Sequence, residues 1–117
     1  MIIAETCLSR ARGLLNDTVG GAYRWDDAEL LVFLNASLDD FFAHRSDCLL
    51  KPDGTLATEE EKRFDADGGM IDFLADKYAE AIAYGCAARA LELDNNDTAN
   101  QERAIMFFQR AAQERMK

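Results

Sequence analysis

Residues that could carry out chemistry are few, and their spacing does not bring them together. The chain has one histidine, His44, near the end of a predicted helix, with no aspartate, serine or cysteine arranged to converge on it as a catalytic group. The three cysteines, Cys7, Cys48 and Cys86, lack the short paired spacing of zinc ligands. We therefore interpret His44 as a surface or capping residue, and we expect a protein that is not an enzyme and needs no cofactor or metal.

The glycine-rich loops also lack the spacing that ligand binding requires. An EF-hand loop needs glycine at its sixth position and glutamate at its twelfth. Counting from Asp65 places Met70 and Asp76 at those positions. The glycine pairs at 20–21 and 68–69 do not have phosphate-loop spacing. These patterns predict neither a calcium site nor a nucleotide site.

Composition predicts one acidic, folded domain over residues 1–117. Hydrophobic residues make up 49% of the chain, which favours a packed core over disorder. The chain has 22 Asp and Glu against 13 Lys and Arg, a net charge of −9, whereas a surface that coats nucleic acid is basic. An acidic surface instead repels phosphates and lets a duplex pass without sticking. No apolar run approaches the roughly 18 residues of a membrane span, and we expect no signal peptide, no membrane contact and reduced thiols.

A long amphipathic stretch at 23–42 is predicted to be a helix with a defined start. Asp26 is the expected N-cap with Glu29 three residues later, and Trp25 and Leu30 have the spacing of a hydrophobic staple. The apolar face comprises Leu30, Phe33, Leu34, Leu38 and Phe41, widened by Leu31 and Phe42. Because this face is broad, two interpretations stay open: a central core helix, or a helix shared between its own core and a neighbouring subunit.

Three further helices complete a predicted all-α, four-helix bundle-like domain. Hydrophobic periodicity places them at about 2–15, 70–93 and 98–117. Small residues fill the middle of the third helix, where Gly85 is expected to be a close-packing position. The predicted buried face of the fourth helix is Ala104, Ile105, Phe108, Ala111 and Ala112, with Met106 on the opposite side.

The segment from about 45 to 68 is predicted to be a long loop or a small β-hairpin arm. Pro and Gly within 51–54 suit a type I turn, and 58–61 suits the capped start of a helical turn. A segment of this length without a strong element is uncommon in a compact domain and is usually functional or disordered. We expect an arm that projects and contacts a partner.

Two stretches resemble a known protein family. The run from Ala11 to Asn35, ARGLLNDTVGGAYRWDDAELLVFLN, resembles the N-terminal signature of phage head–tail connector proteins, the neck adaptors of long-tailed bacteriophages. That signature is a Leu-Leu-x-Asp-like helix end followed by Tyr-Arg-Trp-(Ser/Asp)-Asp-x-Glu-Leu and a Leu-Asn pair. The matching positions are Leu14, Leu15, Asp17, Tyr23, Arg24, Trp25, Asp27, Glu29, Leu30, Leu34 and Asn35. The run from Ala88 to Arg110 is similar to the family's Arg-Ala-Leu, Asp-rich turn, Asn-x-x-Arg-Ala and aromatic-Gln order.

The resemblance implies a structural virion protein of the neck, at the capsid vertex, assembled in the host cytoplasm. Such proteins form rings, usually dodecameric, between the portal and the downstream neck or tail protein, and packaged DNA passes through the lumen without specific binding. The residues expected to meet the portal are Arg110, Arg115, Met116 and Lys117. Those expected at the interface between subunits are Arg24, Trp25, Leu31, Val32, Phe42 and Met106. The alternative is a cytosolic acidic helical adaptor or regulator that binds a basic protein partner and forms no ring.

Overall fold

Four α-helices dominate the part of the chain that this computed structural model describes, residues 1–16, 25–93 and 98–117. In chain order the elements are β1 (Ile2–Ile3), α1 (Ala4–Leu15), α2 (Asp27–His44), a 3₁₀ helix (Ser46–Leu49), β2 (Met70–Ile71), a second 3₁₀ helix (Asp76–Tyr78), α3 (Ala79–Leu93) and α4 (Thr98–Glu114). The predicted all-α, bundle-like fold with a small β component is confirmed. Arg24 and the glycine pair at 20–21 lie outside the described residues.

The central position belongs to α3, which packs against α1, α2 and α4. Its small side chains permit this, since backbones can approach one another closely where few large groups intervene. The buried residues of α3 are Ala81, Ile82, Ala83, Gly85, Cys86, Ala87, Ala88, Ala90 and Leu91. Helix α2, which the sequence predicted as a possible central helix, therefore lies to one side of α3. Its outer side reaches solvent at Val32, which is 66% exposed.

Gly85 lies at the close approach of α3 to α2. A Cβ atom added there would fall 2.2 Å from the hydroxyl oxygen of Ser37 on α2. The Ser37 hydroxyl is buried and donates a 2.8 Å hydrogen bond to the Ile82 carbonyl of α3. The prediction that Gly85 is a close-packing position is therefore confirmed.

The start of α2 follows the predicted cap and gains an ion pair that the sequence did not reveal. The Asp26 carboxylate accepts a 2.8 Å hydrogen bond from the Glu29 backbone N–H, as an N-cap does. The buried Arg12 side chain of α1 donates to the Trp25 carbonyl at 2.8 Å and to the Asp27 carboxylate at 2.6 Å. These bonds attach α1 to the first turn of α2.

The helical prediction is wrong at 2–3 and at 70–75. There β1 and β2 form an antiparallel pair, with Ile2 opposite Ile71 and Ile3 opposite Met70. The first pair is buried and the second exposed, the two-residue alternation of a strand. Helix α3 consequently begins at Ala79, after the second 3₁₀ helix. A short β-branched segment does not reveal by periodicity that a distant strand will pair with it.

Helix α4 packs mainly against α3, so a narrow stripe of its surface is covered. Ala104 and Ala111 are buried there, as predicted, and Met106 is 64% exposed on the outside. Ile105 is 59% exposed, so its predicted burial is wrong. Because α3 is the principal neighbour of α4, the opposite side of α4 is uncovered. Ile105 and Met106 are exposed on that side.

Candidate interaction surfaces

The base of the arm is fixed to α2 by an asparagine. The Asn35 side-chain amide donates to the Phe64 carbonyl at 3.0 Å, and its oxygen accepts from the Phe64 backbone N–H at 2.9 Å. The Phe64 ring is buried in the core, and the Arg63 guanidinium lies 2.6 Å from the Asp39 carboxylate. The Asn35 side chain therefore pairs with both the N–H and the carbonyl of Phe64, as a neighbouring strand would. These two bonds fix the position at which the arm joins the core.

Beyond this base the arm forms a tight hairpin. The Gly54 N–H donates to the Lys51 carbonyl at 3.0 Å, and the Lys51 N–H donates to the Thr55 carbonyl at 2.8 Å. Gly54 has φ +87°, which favours glycine, and the Asp53 carboxylate accepts from the Thr55 N–H at 2.9 Å. The predicted turn at 51–54 is confirmed. The segment before it is the 3₁₀ helix at Ser46–Leu49 and not an extended strand.

The residues that follow the hairpin, 58–61, form a capped turn that contacts it. The Thr58 N–H donates to the Glu61 carboxylate at 3.0 Å, and the Glu61 N–H donates to the Thr58 hydroxyl at 3.3 Å, the reciprocal pattern of a capping box. The Lys51 ammonium lies 2.7 Å from the Glu61 carboxylate and links this turn to the hairpin. Its hydrogen bond is the main cause that lowers the pKa of Glu61.

Two leucines stand side by side at the exposed surface of the hairpin. Leu50 and Leu56 form an antiparallel bridge, flanked by the bonds from Ala57 N–H to the Leu49 carbonyl and from Lys51 N–H to the Thr55 carbonyl. This pattern makes the leucines a non-hydrogen-bonded pair, in which the side chains share one face and lie close together. Leu50 is 58% exposed and Leu56 is 69% exposed.

The positive charges of the described chain are already engaged within the protomer. Each lysine and arginine in the described residues contacts a carboxylate or a backbone carbonyl. Lys77 donates a hydrogen bond to the Lys117 carbonyl, and Arg103 donates one to the Leu14 carbonyl. The ion pairs are Arg10–Glu80, Arg12–Asp27, Arg45–Asp47, Lys51–Glu61, Lys62–Glu59, Arg63–Asp39, Arg89–Asp40, Arg110–Glu114, Arg115–Asp40 and Lys117–Glu114. The surplus carboxylates therefore dominate the outer surface.

The residues predicted to meet a portal lie at the end of α4 and just beyond it. Arg110 and Lys117 both pair with the buried Glu114, and Lys117 is the main cause that lowers the pKa of that carboxyl. Arg115 lies 3.4 Å from the Asp40 carboxylate of α2. Met116 is 80% exposed. The structure thus brings the basic side chains together on carboxylates of their own protomer and leaves Met116 as the free apolar group.

The residues predicted at a subunit interface occupy different environments. Trp25 and Phe42 are buried in the protomer's own core, so they hold the fold and are not offered to a neighbour. Leu31 is half-buried, while Val32 and Met106 are exposed on α2 and α4. Sequence reasoning missed the exposed residues Ile105, Leu50 and Leu56; the turn residues between the two leucines were the available signal for their pairing.

The described residues contain no group of three or more His, Cys, Asp or Glu side chains that could hold a metal ion. A cavity of about 20 Å³ between α2, α3 and α4, lined by residues such as Asp40 and Arg115, has room for about one water molecule. Burial raises the pKa of both Cys7 and Cys86 to about 12, so these thiols stay protonated. His44 is exposed at the end of α2, with Nδ1 2.9 Å from the Asp40 carbonyl oxygen.

Comparison of the chain with family models, with curated proteins and with solved structures finds no match. Among the described helices, none combines the length and the apolar character that crossing a bilayer requires.

Proposed function

We propose that this chain is a structural protein that assembles into a ring in the neck of a long-tailed bacteriophage, between the portal and the next neck or tail protein. The observation that carries the proposal is the outer face of α4, where Ile105 and Met106 are exposed together on a strongly acidic protomer. The resemblance of 11–35 and 88–110 to head–tail connector proteins is the reason for proposing this family. The exposed apolar surfaces of the protomer suit contacts between copies in a ring.

The outer face of α4 combines apolar and amide side chains with two opposite charges. Its exposed positions include the uncharged Gln101, Ile105, Met106, Gln109 and Gln113 and the charged Glu102 and Arg110, of which Arg110 pairs with Glu114 of the same helix. Copies of a chain with net charge −9 repel one another, so two copies meet most favourably where charges are scarce. Protein interfaces are depleted of charge at their centre and enriched in methionine. The face defined by Ile105 and Met106 has that composition.

A ring requires two different patches, because its contacts run head to tail. The outer side of α2 supplies a second patch, where the exposed Ala28 and Val32 and the half-buried Ala36 follow one another at four-residue spacing. Helices α2 and α4 contact α3 in the protomer and have little contact with each other. Each protomer therefore presents one apolar patch on α2 and another on α4, and the α4 face of one copy would meet the α2 face of the next.

The size of these patches favours assembly on a template. A helix of 17 residues is roughly 25 Å long, and one face of it buries less than the ~800 Å² that each partner contributes to a standard interface. We expect isolated copies to associate weakly and to close into a ring when the portal holds them around its axis. The surplus carboxylates would repel the phosphates of DNA within the ring lumen.

A second candidate function is an acidic adaptor that binds a basic protein as a single copy. The engaged lysines and arginines favour it, because the described surface has carboxylates to offer a cationic partner. This candidate predicts no ring under any condition.

Native mass spectrometry with a purified portal ring from the same genome separates the two candidates. A connector is expected to load several copies of the chain onto each portal, whereas an adaptor stays monomeric and unbound. The double variant Ile105→Glu with Met106→Glu is expected to abolish loading. Met70→Glu with Leu93→Glu, which also adds two charges, at residues 59% and 68% exposed on β2 and α3, is the matched control and should load normally. If the α4 variant loads fully onto the portal, the proposed interface between copies is refuted.

A further inference from the structure

The hairpin that carries Leu50 and Leu56 is an exposed segment with a fixed shape. We propose that it is a docking element for a different protein, one that presents an apolar surface bordered by lysine or arginine side chains. The inference goes beyond the ring proposal, because a single protomer can present the hairpin as well as an assembled ring can.

Hydrogen bonds within the arm hold its two exposed leucines on an ordered backbone. Turns at a protein surface usually carry polar side chains, yet here two large apolar side chains lie next to each other in solvent. The hairpin bonds, the capping box at 58–61 and the ion pair of Lys51 with Glu61 all hold the backbone that carries them. A segment already ordered in its binding conformation loses less entropy when a partner binds.

The two leucines lie on the same face of the hairpin. Because Leu50 and Leu56 are a non-hydrogen-bonded pair, their side chains form one continuous apolar ridge and not two separate contacts. The neighbouring residues of the turn, Pro52 to Thr55, are exposed and small or polar. Such a ridge can pack against an apolar surface of a partner, and the turn residues would then lie at the edge of the contact.

Charge identifies the kind of partner. Asp53, Glu59 and Glu60 are exposed within four residues of Leu56 along the chain, Glu59 pairs with Lys62, and the Lys51 ammonium lies 2.7 Å from the Glu61 carboxylate. Nucleic acid is excluded as the occupant because its phosphates would be repelled. A second copy of this chain is disfavoured as well, because the lysines and arginines of the described residues are engaged in their own protomer. A surface with free lysine or arginine complements the arm.

The isolated full-length chain is tested with a synthetic amphipathic helical peptide of leucine and lysine that carries a fluorophore, and binding is followed by fluorescence anisotropy. The peptide is expected to bind, with affinity that falls as salt rises. Leu50→Ser with Leu56→Ser is expected to weaken binding at least tenfold. A peptide with glutamate in place of each lysine is expected not to bind. Absence of binding by the lysine peptide, or unchanged affinity of the serine variant, would overturn the proposal.

A pair of charge variants distinguishes the arm from the net charge of the protein. Glu59→Gln with Glu60→Gln neutralises two carboxylates of the arm, and Glu92→Gln with Glu102→Gln neutralises two exposed carboxylates elsewhere. Both remove two negative charges, but only the arm variant is expected to weaken binding several-fold and to reduce its salt dependence. Equal loss in both variants would show that the peptide responds to overall charge, and the proposal would fail. Circular dichroism checks that each variant is folded, and because no ring is needed, the outcome is independent of portal loading.

Discussion

Gly85→Ala tests the packing of α3 against α2, on which the arrangement of all four helices depends. The substitution adds one methyl group at a buried position of the central helix. In most helices alanine is more favourable than glycine, so local propensity predicts that the variant is more stable. The tertiary structure predicts the opposite.

The magnitude follows from the neighbours of the added atom. The new Cβ would lie 2.2 Å from the Ser37 hydroxyl oxygen and 3.1 Å from its Cβ, so the serine must move and its 2.8 Å bond to the Ile82 carbonyl is lost. Overpacking costs about 1–3 kcal/mol and the lost buried hydrogen bond about 1 kcal/mol, while the helix gains about 1 kcal/mol from alanine. The net expectation is a destabilisation of about 1–3 kcal/mol, or a melting temperature lower by roughly 4 °C for each kcal/mol.

Urea unfolding followed by circular dichroism measures this change. Gly13→Ala is the matched control, since it is also within a helix but no heavy atom lies within 4 Å of its added Cβ. It should stabilise the protein by about 0.5–1 kcal/mol. Combining Gly85→Ala with Ser37→Ala should recover part of the loss, because the two sites touch and their effects are not additive. If Gly85→Ala is as stable as the original chain, or changes stability as Gly13→Ala does, the packing argument is refuted.

Three further predictions concern the arm and the attachment of α1. Asn35→Ala should lower the free energy of unfolding by about 1–2 kcal/mol, because both backbone groups of Phe64 lose their partner, and hydrogen exchange across 57–64 should accelerate; unchanged protection would contradict the role given to Asn35. Arg12→Met keeps the apolar stem but removes the bonds to the start of α2, so urea unfolding should show a loss of about 1.5–3 kcal/mol, and an unaltered midpoint would count against it. Because Lys51 lowers the pKa of Glu61, the pair's stabilisation is complete above the ordinary glutamate pKa of 4.5 and is lost as pH falls through the lower pKa of the folded protein. The NMR titration of the Glu61 carboxyl should therefore have its midpoint below 4.5, and a midpoint at or above that value would show that the pair does not form.

Much of the local structure was predictable because the signals lie within a few residues of one another. Asp26 caps α2, the turn at 51–54 closes the hairpin and the box at 58–61 forms as expected, since each depends on backbone groups two to four residues away. Gly85 was also identified, because a glycine within a run of alanines indicates close packing. The candidate surface was only partly foreseen: Val32 and Met106 are exposed, whereas Trp25 and Phe42 fill the protomer's own core.

The sequence by itself determined an acidic, mostly helical domain, the cap at the start of α2 and the turns of the arm, because charge, periodicity and capping are local properties of the chain. The tertiary structure decided that α3 is the central helix, that β1 and β2 pair, and that Ile105, Leu50 and Leu56 face solvent. Those outcomes depend on which distant segments meet. An amphipathic pattern gives the direction of an apolar face but not how many neighbours will cover it.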